Sequence, residues 1–271
     1  MTKKKAKQQQ VSGSVPAYLP LRPVQCIAFS DNKTRKKNMK WVFKQSIPRL
    51  WDKKIDRKDK IALIAGGPSL NETYKDIPKD ADIMVCGSAH DHAVRLGIKP
   101  KFALECDPSL IQIDNYKENP KDCTYLVASR CDKTMFKHLK GRNVLIWHMW
   151  EQELGKEIYQ GEPAFLCGAT VFLASIPLSL ALGYKEFHIF GADSSFKTFE
   201  QNHAYPMHEP SQVIDVKVGD PKTGPLFRTT ATWAGQAQQY QDMVHHWGNM
   251  FKAKIYGDGM LAEMERQAGR Q

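Results

Sequence analysis

Several short runs in this sequence have the residue types and spacing of a phosphate- or nucleotide-handling site. Ala65-Gly66-Gly67-Pro68-Ser69-Leu70 closes an apolar run that starts at Ile61. A strand that enters a glycine-rich turn and then a helix lets the backbone approach a ligand and aims free N–H groups at an anion. Ser69 can cap that helix, with Glu72 as its reciprocal partner three residues on. The run is neither G-x-G-x-x-G nor a Walker A, because no Lys-Ser/Thr pair follows the glycines. A tight turn without a ligand is the alternative reading of the same residues.

Other runs offer further groups. Cys86-Gly87-Ser88-Ala89-His90 ends a second apolar stretch with small residues, at the kind of position where open α/β sheets bind ligands. His90 reads equally as a base or sugar contact and as a packed histidine. Glu105-Cys106-Asp107-Pro108 ends a third stretch. Its acids suit Mg²⁺ or a ribose hydroxyl, and Asp107 also suits an N-cap before Pro108. Gly191-Ala192-Asp193-Ser194-Ser195 ends another, and Asn202-His203-Ala204-Tyr205 follows on a polar loop. His203 is a candidate general base there. Asp193 can bind or orient, and Tyr205 can donate to a leaving phosphate. His208 is less well placed, and His245-His246 reads as surface or packing. Gly168-Ala169-Thr170 opens a helix of small and apolar residues. Its N-terminus suits a second phosphate or sugar contact, or simply a capped core helix.

These groups sit at the ends of a regular alternation. Strand-length apolar runs span 61–65, 82–87, 101–106, 124–129, 143–148 and 186–191, with helix-like stretches near 70–77, 88–96, 109–117, 132–140 and 168–183. Strands alternating with helices predict βαβ units and a mainly parallel sheet. Continuous apolar strands predict cover on both faces, hence an open doubly wound α/β fold rather than an eight-unit barrel. Beyond residue 191 runs a long polar loop, then a hairpin predicted from 213–218 and 224–230, a helix over 231–251 and a last strand at 253–257.

Composition narrows the function classes. The chain has 271 residues, a net charge of +10 and a mean hydropathy of −0.49. No apolar run approaches the roughly 18 residues of a membrane span, and no apolar segment of secretory type follows the basic start MTKKKAKQQQ. Six cysteines form no C-x-x-C pair, so buried reduced thiols in a cytoplasmic protein are expected, without zinc or a disulfide framework. Residues 1–60 carry a net +13 and the remainder −3. That basic segment suits nucleic acid, an anionic surface or an acidic partner, or serves as a solvated tail. We read residues 1–23 as a flexible basic tail. Residues 24–60 are expected to pack on the main domain through Trp41, Phe43 and Trp51, with helical spacing broken at Pro48. Residues 61–257 read as the main domain and 258–271 as a C-terminal tail.

Taken in order, the segments AGGPSL, CGSAHDHAVRLGIKPKFALECDP, GATVFLASIPLSLALGYKEFHIFGADSSF and NHAY resemble the 6-hydroxymethylpterin diphosphokinase MptE-like family. That family is shared with the central domain of the motility-accessory-factor flagellin glycosyltransferases. The resemblance covers roughly residues 60–210, with a weaker continuation to about 257. It implies a Rossmann-like sheet related in architecture to bacterial sialyltransferases, and a nucleotide-dependent transferase. One branch moves diphosphate from ATP with Mg²⁺, which Glu105 and Asp107 would hold. The Asp-x-Asp-Gly type signature of that branch is replaced here by Glu105-Cys106-Asp107-Pro108. The other branch moves a sugar from a CMP-linked donor and needs no certain cofactor. By that branch, Gly66, Gly67, Pro68 and Ser69 would cradle the donor phosphate, and Gly87, Ser88 and Asp107 would contact the nucleotide. Asp193 and His203 would stand near an acceptor of unknown identity, His203 as base. A nucleotide-binding protein without turnover is the remaining expectation.

Overall fold

The computed structural model describes residues 30–207, 210 and 212–270. The tail assigned to residues 1–23, Cys26 and His208 lie outside the described residues. In chain order the strands are β1 (Lys60–Ile64), β2 (Ala81–Cys86), β3 (Phe102–Glu105), β4 (Thr124–Ala128), β5 (Asn143–Trp147), β6 (Glu186–Phe190), β7 (Val213–Lys217), β8 (Leu226–Thr230) and β9 (Lys252–Ile255). The helices are α1 (Asn32–Val42), α2 (Leu70–Thr73), α3 (His90–Arg95), α4 (Lys133–His138), α5 (Val171–Ala181), α6 (Ala231–Trp247) and α7 (Met260–Gln267), with short 3₁₀ turns between.

Seven strands form one sheet in the order β5-β4-β3-β2-β1-β6-β9, and every pairing is parallel. β7 and β8 form a separate antiparallel hairpin. Successive side chains of a strand face opposite sides. In β1, Ile61 and Leu63 therefore join one core while Ala62 and Ile64 join another, and all four are fully buried. Each buried Leu or Ile there contributes about 1.5–3 kcal/mol. The result is the open, Rossmann-like α/β sheet that the continuous apolar runs predict. From β1 the chain moves outward to β5, then returns to place β6 on the other side of β1. That reversal opens a crevice at the carboxyl ends of β1 and β6.

The basic N-terminal segment docks at the β5 edge. Asp31 caps α1 by accepting from Thr34 N at 2.7 Å. Arg35, Asn38, Met39 and Val42 are buried, while Lys33, Lys37, Lys40 and Lys44 lie exposed. Trp41 meets Phe136 and Phe43 stacks on His148, and Trp51 meets the same histidine. The helix stops at Val42, well before Pro48. Proline keeps an acceptor but has no N–H to extend a helix, and here its carbonyl accepts from Ile146 N of the edge strand at 2.9 Å. His148 bonds Ser129 Oγ and Glu162 Oε2, both at 2.7 Å, and Glu162 also accepts from Arg49 Nε. Ser129 and His148 are buried to 1% and 0% exposure, so this Ser-His-Glu chain is a clamp between sheet and segment rather than a reactive triad.

Residues 258–271, read from the sequence as a tail, contain α7, whose Met260, Leu261 and Ala262 are buried. The helix predicted over 231–251 ends at Trp247.

Candidate functional site

The glycine turn after β1 is fixed by the strand beside it. Gly67 N donates to Gly191 O at 2.7 Å, and Ala204 N donates to Gly66 O at 3.0 Å. A Cβ on Gly67 would overlap the Asp193 carboxylate and the Gly191 carbonyl, so only hydrogen fits. Ser69 N donates to Asp193 Oδ2 at 3.0 Å. The predicted Ser69–Glu72 capping box is not formed. Ser69 is itself in a helical conformation with no side-chain cap bond, and Glu72 pairs with Lys197 instead. The amides expected to face an anion are thus largely spent within the turn, and α2 is one turn long.

Beyond β6 the backbone reverses at Ser194, whose φ of 55° is unusual for a residue with a side chain. Gln236 Nε2 donates to Ser194 Oγ at 2.9 Å, and Thr229 Oγ1 donates to Ser194 O at 2.6 Å. Ser195 Oγ accepts from Met260 N at 3.0 Å. This held reversal distributes neighbouring side chains between two cavities.

The first cavity, about 190 Å³, lies at the switch point. Gly66, Gly67, Gly87, Ser88, Thr170, Ser194, Ser195, Asn202, His203, Trp233 and Gln236 are among its lining residues. Thr170 caps α5 by accepting from Leu173 N at 3.3 Å. The N–H groups of Val171 and Phe172 precede any intrahelical partner, and both residues line the cavity. This eleven-residue helix turns toward the cavity the free N–H groups that the glycine turn does not. His203 shares a hydrogen bond with Asn202 Oδ1 through Nδ1 at 2.9 Å and meets the Trp233 and Tyr205 rings. Burial pushes its pKa down to about 4, so the imidazole is neutral at pH 7. Tyr205 bonds Ser88 Oγ at 2.7 Å, and burial lifts its phenol to about 12.

The second cavity, about 610 Å³, adjoins the first through Ser195. Pro68, Ser69, Asp193, Phe199, Asp215, Leu226, Arg228, Asp258 and Gly259 contribute to its walls. Burial lifts the Asp193 carboxyl to about 6, against the pull of its hydrogen bonds at Ser69.

The residues anticipated from sequence therefore divide. Gly66, Gly67, Gly87, Ser88, Thr170 and His203 meet at the first cavity, and Pro68, Ser69 and Asp193 at the second. Tyr205 touches the first through Ser88. Gly168, Asp107, Glu105 and His90 line neither. A Cβ on Gly168 would strike Leu173, and the next amide, Ala169 N, donates to Gln239 Oε1 at 2.8 Å. His90 is fully buried, bonded to Asp91 and stacked on Tyr116. Asn202, Trp233, Gln236 and Arg228 were not anticipated. Only Asn202 carried a signal, its place beside His203.

The acids that would hold Mg²⁺ do not fit that ion. Glu105 Oε1 accepts from Cys106 N and Asp107 N at 2.8 and 2.7 Å, and Oε2 accepts from Tyr116 OH at 3.2 Å. Asp107 accepts from Ser109 N and Gln112 Nε2, both at 2.8 Å. Burial pushes Glu105 up to about 7. Both side chains brace the turn after β3.

A wholly parallel open sheet with its crevice at the switch point defines a Rossmann-like α/β protein. The chain belongs to the MptE-like family: the family model described as 6-hydroxymethylpterin diphosphokinase MptE-like matches residues 33–199. Among solved structures, the chain is similar to the MAf glycosyltransferase from Magnetospirillum magneticum AMB-1, with a TM-score of 0.64 and 15% identity over 86% of this chain. The match spans 38% of that protein's length. A mammalian sialyltransferase aligns with a TM-score of 0.44 and 11% identity, over 84% of this chain and 79% of the other. No curated protein matches the chain. No helix among the described residues is long and apolar enough to cross a membrane.

Proposed function

We propose that the protein is a glycosyltransferase that takes a nucleotide-linked, CMP-type sugar in the first cavity and an acceptor hydroxyl in the second. The observation that carries this reading is the pair of cavities meeting at Ser195, with His203 in one and Asp193 in the other. The helix α5 N-terminus then faces the donor phosphate, and Ser88 and Thr170 meet the donor's polar groups. Asp193, with a pKa near the working pH, takes the proton of the acceptor hydroxyl. The acceptor oxygen bonds to the sugar's anomeric carbon as that carbon's bond to the phosphate oxygen breaks. The phosphate departs with the bonding electrons, and His203 meets its charge. This differs from the sequence expectation of His203 as base, because an imidazole with a pKa near 4 is the weaker proton acceptor. We place the activity within residues 61–257, joined by α7, and in the cytoplasm, which suits the free thiols at Cys86, Cys106, Cys123, Cys131 and Cys167.

The first test is thermal stabilisation by CMP, CDP, UDP, GDP and ATP, each with and without Mg²⁺. A ligand at about 100 times its Kd adds about 2.7 kcal/mol. Stabilisation by CMP without metal is the expected result. A response to ATP only with Mg²⁺ would move the reading to diphosphate transfer, and no response to any nucleotide would remove the donor site.

His203 supplies a second prediction. Its pKa is low because the cavity desolvates the cation, and a phosphate placed beside it favours the charged form. The imidazole titration, followed by NMR, is expected to rise by about one unit or more when CMP binds. An unchanged titration in the CMP complex would separate His203 from the donor phosphate.

A further inference from the structure

Arg228 is the unexplained charge of the second cavity. It stands on β8, across from Asp215 in the hairpin register. Its guanidinium lies 3.9 Å from the Phe199 ring centroid and 5.8 Å from that of Phe196. Its Nε is buried and donates to nothing, and among the described residues no carboxylate lies within ion-pair reach of it. The other cation of the cavity, Lys197, is paired with Glu72. Arg35 and Arg130 pair with Glu151, and Arg49 with Glu162.

A partly desolvated cation that is in no ion pair is costly, even with the Asp215, Asp193 and Asp258 carboxylates elsewhere on the same walls. With its carbon over the Phe199 ring, the guanidinium can still meet a carboxylate or phosphate through paired N–H donors. Phe199 and Leu226, 73% and 61% exposed, add apolar surface to the same walls. We propose that the second cavity is an anion-recognising subsite, in which Arg228 holds a carboxylate or phosphate of the acceptor while Phe199 and Leu226 pack on the body that carries it. This inference rests on reading the second cavity as the acceptor side.

The test is equilibrium binding of phenyl phosphate, benzoate and neutral benzyl alcohol to the full chain, to R228Q and to R228K, with and without CMP. Both anions, or one of them, are expected to bind the wild type about tenfold or more tighter than the alcohol. R228Q should erase that preference while still unfolding cooperatively, at a melting temperature no lower than the wild type's, and R228K should keep only part of it. The stronger of the two anions identifies the group. Equal binding of all three probes, or unchanged anion binding by R228Q, overturns the proposal. Displacement of the anion by CMP also overturns it, since the anion would then occupy the first cavity. If R228Q does not fold, R228K decides, because it keeps the charge and loses the fork: anion affinity equal to the wild type's would be the contrary result. Failure of nucleotides to bind would sink the two-substrate reading and leave this anion result intact. Failure of the anions while nucleotides bind would sink only the role given to Arg228.

Discussion

Asp193→Asn is expected to stabilise the fold above pH 6 while cutting transfer by about 10²–10⁴-fold. Burial lifts this carboxyl to about 6, whereas an unfolded Asp titrates near about 3.9. Between those values the folded protein keeps a proton that the unfolded chain has lost. Stability therefore falls as pH rises through the window, and the penalty levels off above it. At about 1.36 kcal/mol per unit, the ionised carboxylate costs about 2–3 kcal/mol. Asn removes the charge and keeps an oxygen for the Ser69 N–H. Urea unfolding at pH 8 should show the variant about 1–3 kcal/mol more stable, with the difference gone below about pH 4, where both side chains are neutral. Glu105, lifted to about 7, slopes the same way in both proteins and drops out of the comparison. An Asn variant less stable than wild type at pH 8 would mean that the carboxylate is favoured as a charge, which ends its case as a poised base.

Gly67→Ala should damage both fold and binding. The new Cβ meets the Asp193 carboxylate on one side and the Gly191 carbonyl on the other. The carbonyl cannot retreat without losing the Gly67 N–H bond that ties the turn to the end of β6. Overpacking of this kind costs about 1–3 kcal/mol. Since Gly67 lines the first cavity, CMP affinity should fall about tenfold or more, for a displacement worth about 1.4 kcal/mol. Calorimetric unfolding with CMP titration checks both. Wild-type affinity in a folded Ala variant would detach this turn from the donor site.

The sheet was legible because its inner strands β1 to β4 are buried on both faces and so read as apolar runs. The ends of those runs located the crevice for the same reason. What lay hidden depended on contacts between distant segments. Ser69 looks like a cap by its neighbours, yet its amide is drawn to Asp193, 124 residues away. Asp107 and Glu105 look like metal ligands by type, but local amides already occupy them. The preference for α5 over the glycine turn follows from helix length and from which residues line the cavity, neither visible in the motif. Arg228 sits in a strand between Phe227 and Thr229, and its meaning comes from rings contributed by another segment. The end of α1 was missed because Pro48 serves the sheet edge with its carbonyl instead of kinking a continuing helix.

The family match ends at residue 199, yet Arg228, Trp233, Gln236, Asp258 and Gly259, which wall the cavities, all come later in the chain. The hairpin, α6 and the loop before α7 bring them back over a crevice whose floor is built earlier. Floor and walls are thus encoded in separate stretches of sequence. Substitutions in the later stretch can reshape what enters without disturbing the motifs by which relatives are recognised. Members alike in those motifs are free to differ in what the crevice admits, and a ligand should be inherited from a relative only where the later stretch agrees as well.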